Sequence, residues 1–297
     1  MGKIKIICNP KAGRQIFQKR ILSLVEVLGK EDKTRVDISY TTKELDAQNM
    51  AYESCQQEYD IIIAIGGDGT INEVVNGIIK SNKMPKLALY PAGTVNDFAN
   101  FLQIPRGIDD FSKMLINGHT MKVDVGVAGE RCFLNVAAAG LLPNVAHKVS
   151  SEAKTVLGKF AYYMEGIKEF SRSMFKPIKI RFNINGHEEE KDILFFILAN
   201  SPSVGGFKYV APDAKIDDGY LDLLIVEHNQ LIDIATIFLK ALRGNHSNHP
   251  GLQYLQVEEL SIYSNEKIDL DIDGELGGSL PTNFYVKKQA IEIIIPK

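Results

Sequence analysis

Apolar positions in the first third of the chain follow two alternating rhythms. Lys3 to Cys8 and Val36 to Tyr40 are short apolar-rich runs, and Ile61 to Ile65 is unbroken, the pattern of a strand covered on both faces of a parallel sheet. Between and after these runs the spacing lengthens to the helical period. Phe17, Ile21, Leu24, Val25 and Leu28 mark one helical face that Gly29 ends, Leu45 to Gln57 reads as a second helix, and Ile71, Val74, Val75, Ile78 and Ile79 form the stripe of a third. Thr70 and Glu73 have the S/T-x-x-E spacing of a capping box for that third helix. Lys86 to Tyr90 gives another strand, after which Thr94 can cap a helix with Asp97 in its first turn. This βαβα alternation predicts an N-terminal Rossmann-like parallel α/β domain.

The pattern changes near Gly118. Lys122 to Val127 and Cys132 to Ala138 are strand-like, a helical region runs from about Glu152 to Met174, and then Ile178, Ile180, Phe182 and Ile184 alternate up to a hairpin turn at Asn185-Gly186. Ile193 to Leu198, Tyr220 to Val226, Leu252 to Ile262, Ile268 to Ile272 and Ala290 to Ile295 continue the β signals, with one helix from about Gln230 to Arg243. The second domain is therefore expected to be a C-terminal antiparallel β-sandwich, with the active site in the inter-domain cleft. The boundaries fall at 1–124 for the α/β domain and 125–288 for the β-rich domain.

Composition narrows the function. A chain of 297 residues with 45% apolar and 24% charged residues can bury two cores, and a formal net charge of −3 argues against a dedicated nucleic-acid binder. Cys8, Cys55 and Cys132 are few, scattered and odd in number, which disfavours a disulfide framework or a zinc site and fits a reducing cytoplasm. MGKIKIICNP reads as a strand, since its apolar part is too short for a signal peptide, and no run approaches the roughly 18 apolar residues of a membrane span. Action on lipid would require peripheral contact with the membrane.

The candidate chemistry lies in three turns that follow strands. In GGDGT, Gly66, Gly67 and Gly69 leave the backbone open at a helix start, where free N–H groups and the helix dipole favour phosphate. Asp68 would repel that phosphate, so its presence points to a bridging cation or to proton transfer. NPKAG can shape a second anion site or be an ordinary turn, and PAGTVND brings Thr94, Asn96 and Asp97 to a third. All three turns would lie along the carboxyl edge of one sheet, where open α/β sheets bind ligands. His246 and His249 have a metal-like spacing, but a polar loop is the better reading without a nearby Cys or acidic ligand. The lysines and aromatics between Lys148 and Lys176 could lie against anionic lipid, although a solvated face over a packed one is the better reading.

NPKAG, GGDGTINEVVNG, PAGTVNDFA, VDVG, VAPDAKIDDGYLDL and DIDGELGG, in that order, resemble the diacylglycerol kinase catalytic-domain family, in particular its soluble bacterial lipid kinases. The resemblance covers nearly the whole chain. It implies transfer of the γ-phosphate of ATP to a lipid hydroxyl with Mg²⁺, most simply diacylglycerol to phosphatidic acid, and a fold shared with NAD kinases in which a segment of about 289–297 returns to the first domain. Carried over by motif, Asn9, Pro10, Lys11, Ala12, Gly13, Thr42, Gly66, Gly67, Asp68, Gly69, Thr70, Asn72, Thr94, Asn96 and Asp97 would hold the nucleotide. The Asp218 carboxylate with the carbonyls of Lys215 and Tyr220 would hold Mg²⁺, and Asp68, Asp97 and Asp124 could organise the metal directly or through water. Glu275 or Asp273 would accept the proton of the lipid hydroxyl, with Glu275 preferred. Relatives also suggest a homodimer. The rival readings are an NAD kinase, a sphingoid or ceramide kinase, and a nucleotide-binding regulator without catalysis.

Overall fold

A computed structural model of the protein describes residues 2–12, 16–29, 34–140, 177–203, 210–227 and 252–297. The helices expected over about 152–174 and 230–243, the basic aromatic stretch, His246, His249 and Gly13 all lie outside the described residues. In chain order the elements are β1 (Lys3–Cys8), α1 (Ile16–Gly29), β2 (Arg35–Tyr40), α2 (Asp46–Gln56), β3 (Ile61–Gly66), α3 (Asp68–Ser81), β4 (Lys86–Pro91), α4 (Asp97–Phe101), α5 (Ile108–Asn117) and β5 (His119–Ala128). They continue as β6 (Arg131–Phe133), β7 (Val136–Gly140), β8 (Ile178–Ile184), β9 (His187–Ala199), β10 (Leu221–Glu227), β11 (Leu252–Val257), β12 (Glu259–Ser264), β13 (Asp269–Ile272), β14 (Glu275–Ser279) and β15 (Thr282–Ile295). The chain divides into two units: Met1–Val125 with Ile216–Gly219 and Lys287–Lys297, and Gly126–Lys215 with Tyr220–Val286. The boundaries expected from sequence contain no counterpart of the four-residue excursion Ile216–Gly219.

The first unit is a parallel sheet in the order β4-β3-β1-β2, with the end of β15 added beside β4 through Glu292 and Ile293. Every residue of β3 is buried, as its unbroken apolar run requires. Ile71, Val74, Val75 and Ile78 bury the stripe of α3, while Ile79 is half-buried. Ile21, Leu24 and Leu28 do the same for α1.

Two helix starts differ from expectation. The Thr70–Glu73 capping box does not form, because α3 begins at Asp68 with Gly67 as N-cap and no side-chain cap bond. Glu73 instead accepts from the Leu45 and Ala47 amides, each at 3.0 Å, and so satisfies the start of α2. Likewise Thr94 does not cap the helix after β4. Asn96, at φ 53°, is the N-cap of α4. Helix α5 is an addition; its buried Phe111, Ser112, Met114 and Leu115 show the helical period within only ten residues.

The second unit is antiparallel. β9 is long enough for β8 to pair its first half while β7 and β10 pair its second, and the chain of neighbours runs β14-β13-β7-β9-β8-β12 before reaching the start of β15. Residues of β9 alternate between two cores: Phe196 and Leu198 join Phe182, Phe133 and Phe284, and Leu194, Phe195 and Ala199 join Ala211, Leu224 and Leu252. Phe196 packs edge-on against both Phe182 and Phe284, with centroids 6.3 and 6.1 Å away. Asn185 and Gly186 turn the β8–β9 hairpin at φ 53° and 82°, as expected. The stretch Leu252 to Ile262 is two strands, and β14, which lacks any apolar alternation, pairs β13.

Candidate active site

Four turns leave the carboxyl ends of the parallel strands, and short bonds stitch them together. The Asn9 amide donates to the Ile65 carbonyl at 2.9 Å, Ala92 donates to Gly66 at 2.9 Å, and Thr41 donates to Cys8 at 2.9 Å. Side chains complete the seam. Asn9 Nδ2 donates to Thr70 Oγ1 at 3.1 Å, while Asn9 Oδ1 accepts from the Lys11 amide at 3.0 Å, fixing the turn that also holds Pro10 and Ala12. A Cβ on Gly66 would sit 2.4 Å from that same Thr70 side chain, and one on Gly93 would sit 2.6 Å from the Gly67 Cα. Glycine is required at both places by close approach; Gly66 is buried, while Gly67 and Gly93 are half-buried.

Asp68, half-buried at the start of α3, ties the turn after β3 to the turn after β4: its Oδ2 accepts the Asn96 amide at 2.8 Å. The Asn96 side chain is wholly buried and spends both its groups on Gly93, accepting from its amide at 2.9 Å and donating to its carbonyl at 2.6 Å. Asn96 is therefore a shaper of the turn. Thr94 is exposed at its tip, and Asp97 opens α4. Asn72 is buried and its Oδ1 accepts from Asn76 at 2.9 Å. Thr42, exposed after β2, donates through both its hydroxyl and its amide to Asp46 Oδ2, at 2.7 and 2.8 Å. Those bonds hold the Asp46 carboxyl below its ordinary value, the hydroxyl bond contributing most.

Asp124 has an anchoring geometry. It is fully buried in β5, and its two oxygens accept backbone amides of Gly219, at 2.7 Å, and Gln289, at 2.6 Å. Its own amide donates to Ile216 at 2.7 Å. Asp124 thereby clamps the KIDDGY loop, where Lys215 and Tyr220 are exposed and Asp218 is half-buried.

Asp273 and Glu275 differ sharply. Asp273 accepts three amides, from Asn135 and Val136 at Oδ1 (both 2.9 Å) and from Leu134 at Oδ2 (2.8 Å). Glu275 projects from the first position of β14 with its side chain 46% exposed and meets Arg131 Nη2 at 3.3 Å. Sequence reasoning misses Arg131, since nothing local links it to a residue 144 positions away.

Among the described residues no cluster of three or more His, Cys, Asp or Glu side chains could hold a metal ion, and no helix is long and apolar enough to cross a membrane. A cavity of about 760 Å³ in the first unit is lined by Tyr59, Ile61, Met84 and Lys86, at the amino ends of the strands and so at the opposite edge from the glycine turns.

Residues 3–128 match the diacylglycerol kinase catalytic domain, and residues 135–295 match the YegS C-terminal NAD kinase beta sandwich-like domain. Over 297 residues the chain is 40% identical to a diacylglycerol kinase of Staphylococcus epidermidis, spanning 99% of this chain and 92% of that one. The chain belongs to the diacylglycerol kinase family. A diacylglycerol kinase of Staphylococcus carnosus is 39% identical over 99% of this chain and 95% of its own. A diacylglycerol kinase of Bacillus anthracis of known crystal structure superposes with a TM-score of 0.79 at 26% identity, covering 99% of this chain and 96% of that one. Membership in this kinase family implies use of ATP, and the side-chain-free approach at Gly67 and Gly93 suits a phosphate held by backbone amides.

Proposed function

We propose that the protein transfers the γ-phosphate of ATP to the free hydroxyl of diacylglycerol, giving phosphatidic acid and ADP. The observation that carries this reading is the seam of strand-end turns around Asp68, in a chain 40% identical over its length to a diacylglycerol kinase. Asn9 to Ala12, Thr42, Gly66 to Thr70, Asn72 and Thr94 form the nucleotide-facing edge, with Asn96 and Asp97 shaping its third turn. Backbone amides do most of the holding, so the glycines matter for access.

In phosphoryl transfer the charge spreads over the γ-phosphate oxygens, and catalysis is mainly positioning and electrostatic stabilisation. Mg²⁺ is commonly held by one or two carboxylates with phosphate and water oxygens; Asp218 with the Lys215 and Tyr220 carbonyls is an all-oxygen set of that kind, and Asp68 and Asp97 are further carboxylates at the turns. Bound there, the ion would neutralise charge on the phosphates. Asp124 serves this set by anchoring Gly219. As the acceptor oxygen bonds to the γ-phosphorus, the bridging P–O bond breaks, ADP leaves with the electron pair, and the hydroxyl proton passes to Glu275. Asp273 is the weaker candidate base because three amides already occupy its oxygens.

The enzyme works in this reading as a homodimer in the cytoplasm, peripheral to the membrane. Support comes from the lipid nature of the acceptor and from three buried free cysteines, which suit a reducing compartment. The test offers diacylglycerol, ceramide, sphingosine and NAD with Mg-ATP to the purified protein. Diacylglycerol should be phosphorylated fastest; transfer to NAD alone would make it a nicotinamide-nucleotide kinase, and nucleotide binding without transfer to any of the four would favour a regulator.

A further inference from the structure

The turn that presents Glu275 is built to hold still. Asp273 and Gly274, at φ 51° and 89°, are the two central residues of a tight hairpin, and Ile272 pairs Glu275 across it. The segment just after β6 grips this turn from the side: Leu134, Asn135 and Val136 donate to the Asp273 carboxylate, and Asp273 returns its own amide to the Val136 carbonyl at 2.9 Å. Those bonds fix the backbone. They leave the Glu275 carboxylate at the end of three rotatable bonds.

Arg131 fixes what the backbone does not. Its Nη1 donates to the Leu276 carbonyl at 2.7 Å, and its Nη2 reaches Glu275 Oε2 at 3.3 Å. A guanidinium is planar, so tying one arm to a backbone carbonyl sets the direction of the other. Both side chains are partly exposed, at 33% and 46%, and an ion pair so open to water adds little stability. Its consequence is where the carboxylate points.

We propose that Arg131 is a positioning residue for Glu275, holding the carboxylate in the orientation from which it accepts the proton of the substrate hydroxyl. The proposal rests on the reading of Glu275 as that acceptor. Arg131 itself takes no part in the proton transfer.

Arg131→Ala and Arg131→Lys, each alone and combined with Glu275→Gln, test this by steady-state kinetics with diacylglycerol and Mg-ATP. Misdirecting a reacting group by about 1 Å can cost on the order of 10²-fold, so Arg131→Ala should lower kcat by about 10- to 100-fold with the KM for ATP and the melting temperature unchanged. Arg131→Lys should lie between it and wild type. Guanidinium ion should restore part of the lost kcat in Arg131→Ala and none in the double variant. In the Glu275→Gln background, removing Arg131 should cost nothing more. Full kcat in Arg131→Ala, or an equal fold-loss in both backgrounds, overturns the positioning role alone. Normal turnover by Glu275→Gln overturns the base assignment, and the proposal with it.

Discussion

Asp273→Asn separates two carboxylates that stand two positions apart in DIDGE. Asparagine keeps the size of the side chain and tolerates the left-handed backbone at φ 51°. One amide oxygen can still accept from Asn135 and Val136, but an NH₂ group now faces the Leu134 N–H that Oδ2 accepts at 2.8 Å. The substitution therefore removes one charge-assisted bond and takes the charge from two others. Hydrogen bonds to charged groups contribute about 1.5–3 kcal/mol each, and in a half-buried turn where water replaces part of the loss the total should be about 2–3 kcal/mol. Urea unfolding followed by circular dichroism should show a lower midpoint at an unchanged m value. Turnover by the folded protein should fall far less than in Glu275→Gln, where loss of a general base costs about 10²- to 10⁴-fold. Wild-type stability with kcat reduced by about 10²-fold or more would refute the reasoning, because it would make Asp273 the proton acceptor and leave the turn without need of its anchor.

Other consequences follow from the same geometry. Gly93→Ala places a Cβ 2.6 Å from the Gly67 Cα, so the two turns must part; kcat/KM for ATP should drop by more than about tenfold with little change in the dichroism spectrum, and an unchanged value would mean that the turns do not touch the nucleotide. Glu73→Ala frees the Leu45 and Ala47 amides, and urea titration should show a loss of about 1 kcal/mol, as for other helix caps. Burial pushes the Cys8 thiol up to about 11, and Cys55 and Cys132 are buried too, so a disulfide reagent at neutral pH should find the folded protein unreactive and all three thiols should titrate after unfolding.

The legible parts of this molecule are those whose cause is local. A β-branched run, a glycine turn and a helical stripe occupy consecutive residues from Ile61 to Ile79, and β3, its turn and α3 follow from them directly. The order of the motifs carries the family, and the alternation after Pro177 carries the antiparallel character of the second unit. What sequence misreads is settled by partners far along the chain. Thr70 and Glu73 have the right spacing for a capping box, but α2 begins beside them after a left-handed Leu45, at φ 64°, with amides in need of an acceptor. Glu73 goes there. Nor does the sequence show that Asp124 accepts the amides of Gly219 and Gln289, 95 and 165 positions away. DIDGE offers two acids, of which the sequence favours Glu275, and the amides that Leu134 to Val136 donate to Asp273 leave no local trace in it. Helix α5 escapes because its ten residues sit between Gly107 and Gly118, and β14 because Leu276-Gly277-Gly278 carries no alternation.

The most direct measurement follows the label from γ-³²P-ATP in vesicles containing diacylglycerol, for the wild type and for Asp68→Asn. The account predicts labelled phosphatidic acid from the wild type and almost none from the variant, with both proteins equally folded. Label that stays in ATP or passes only to a soluble acceptor, or equal transfer by the two proteins, would contradict a lipid kinase built around Asp68.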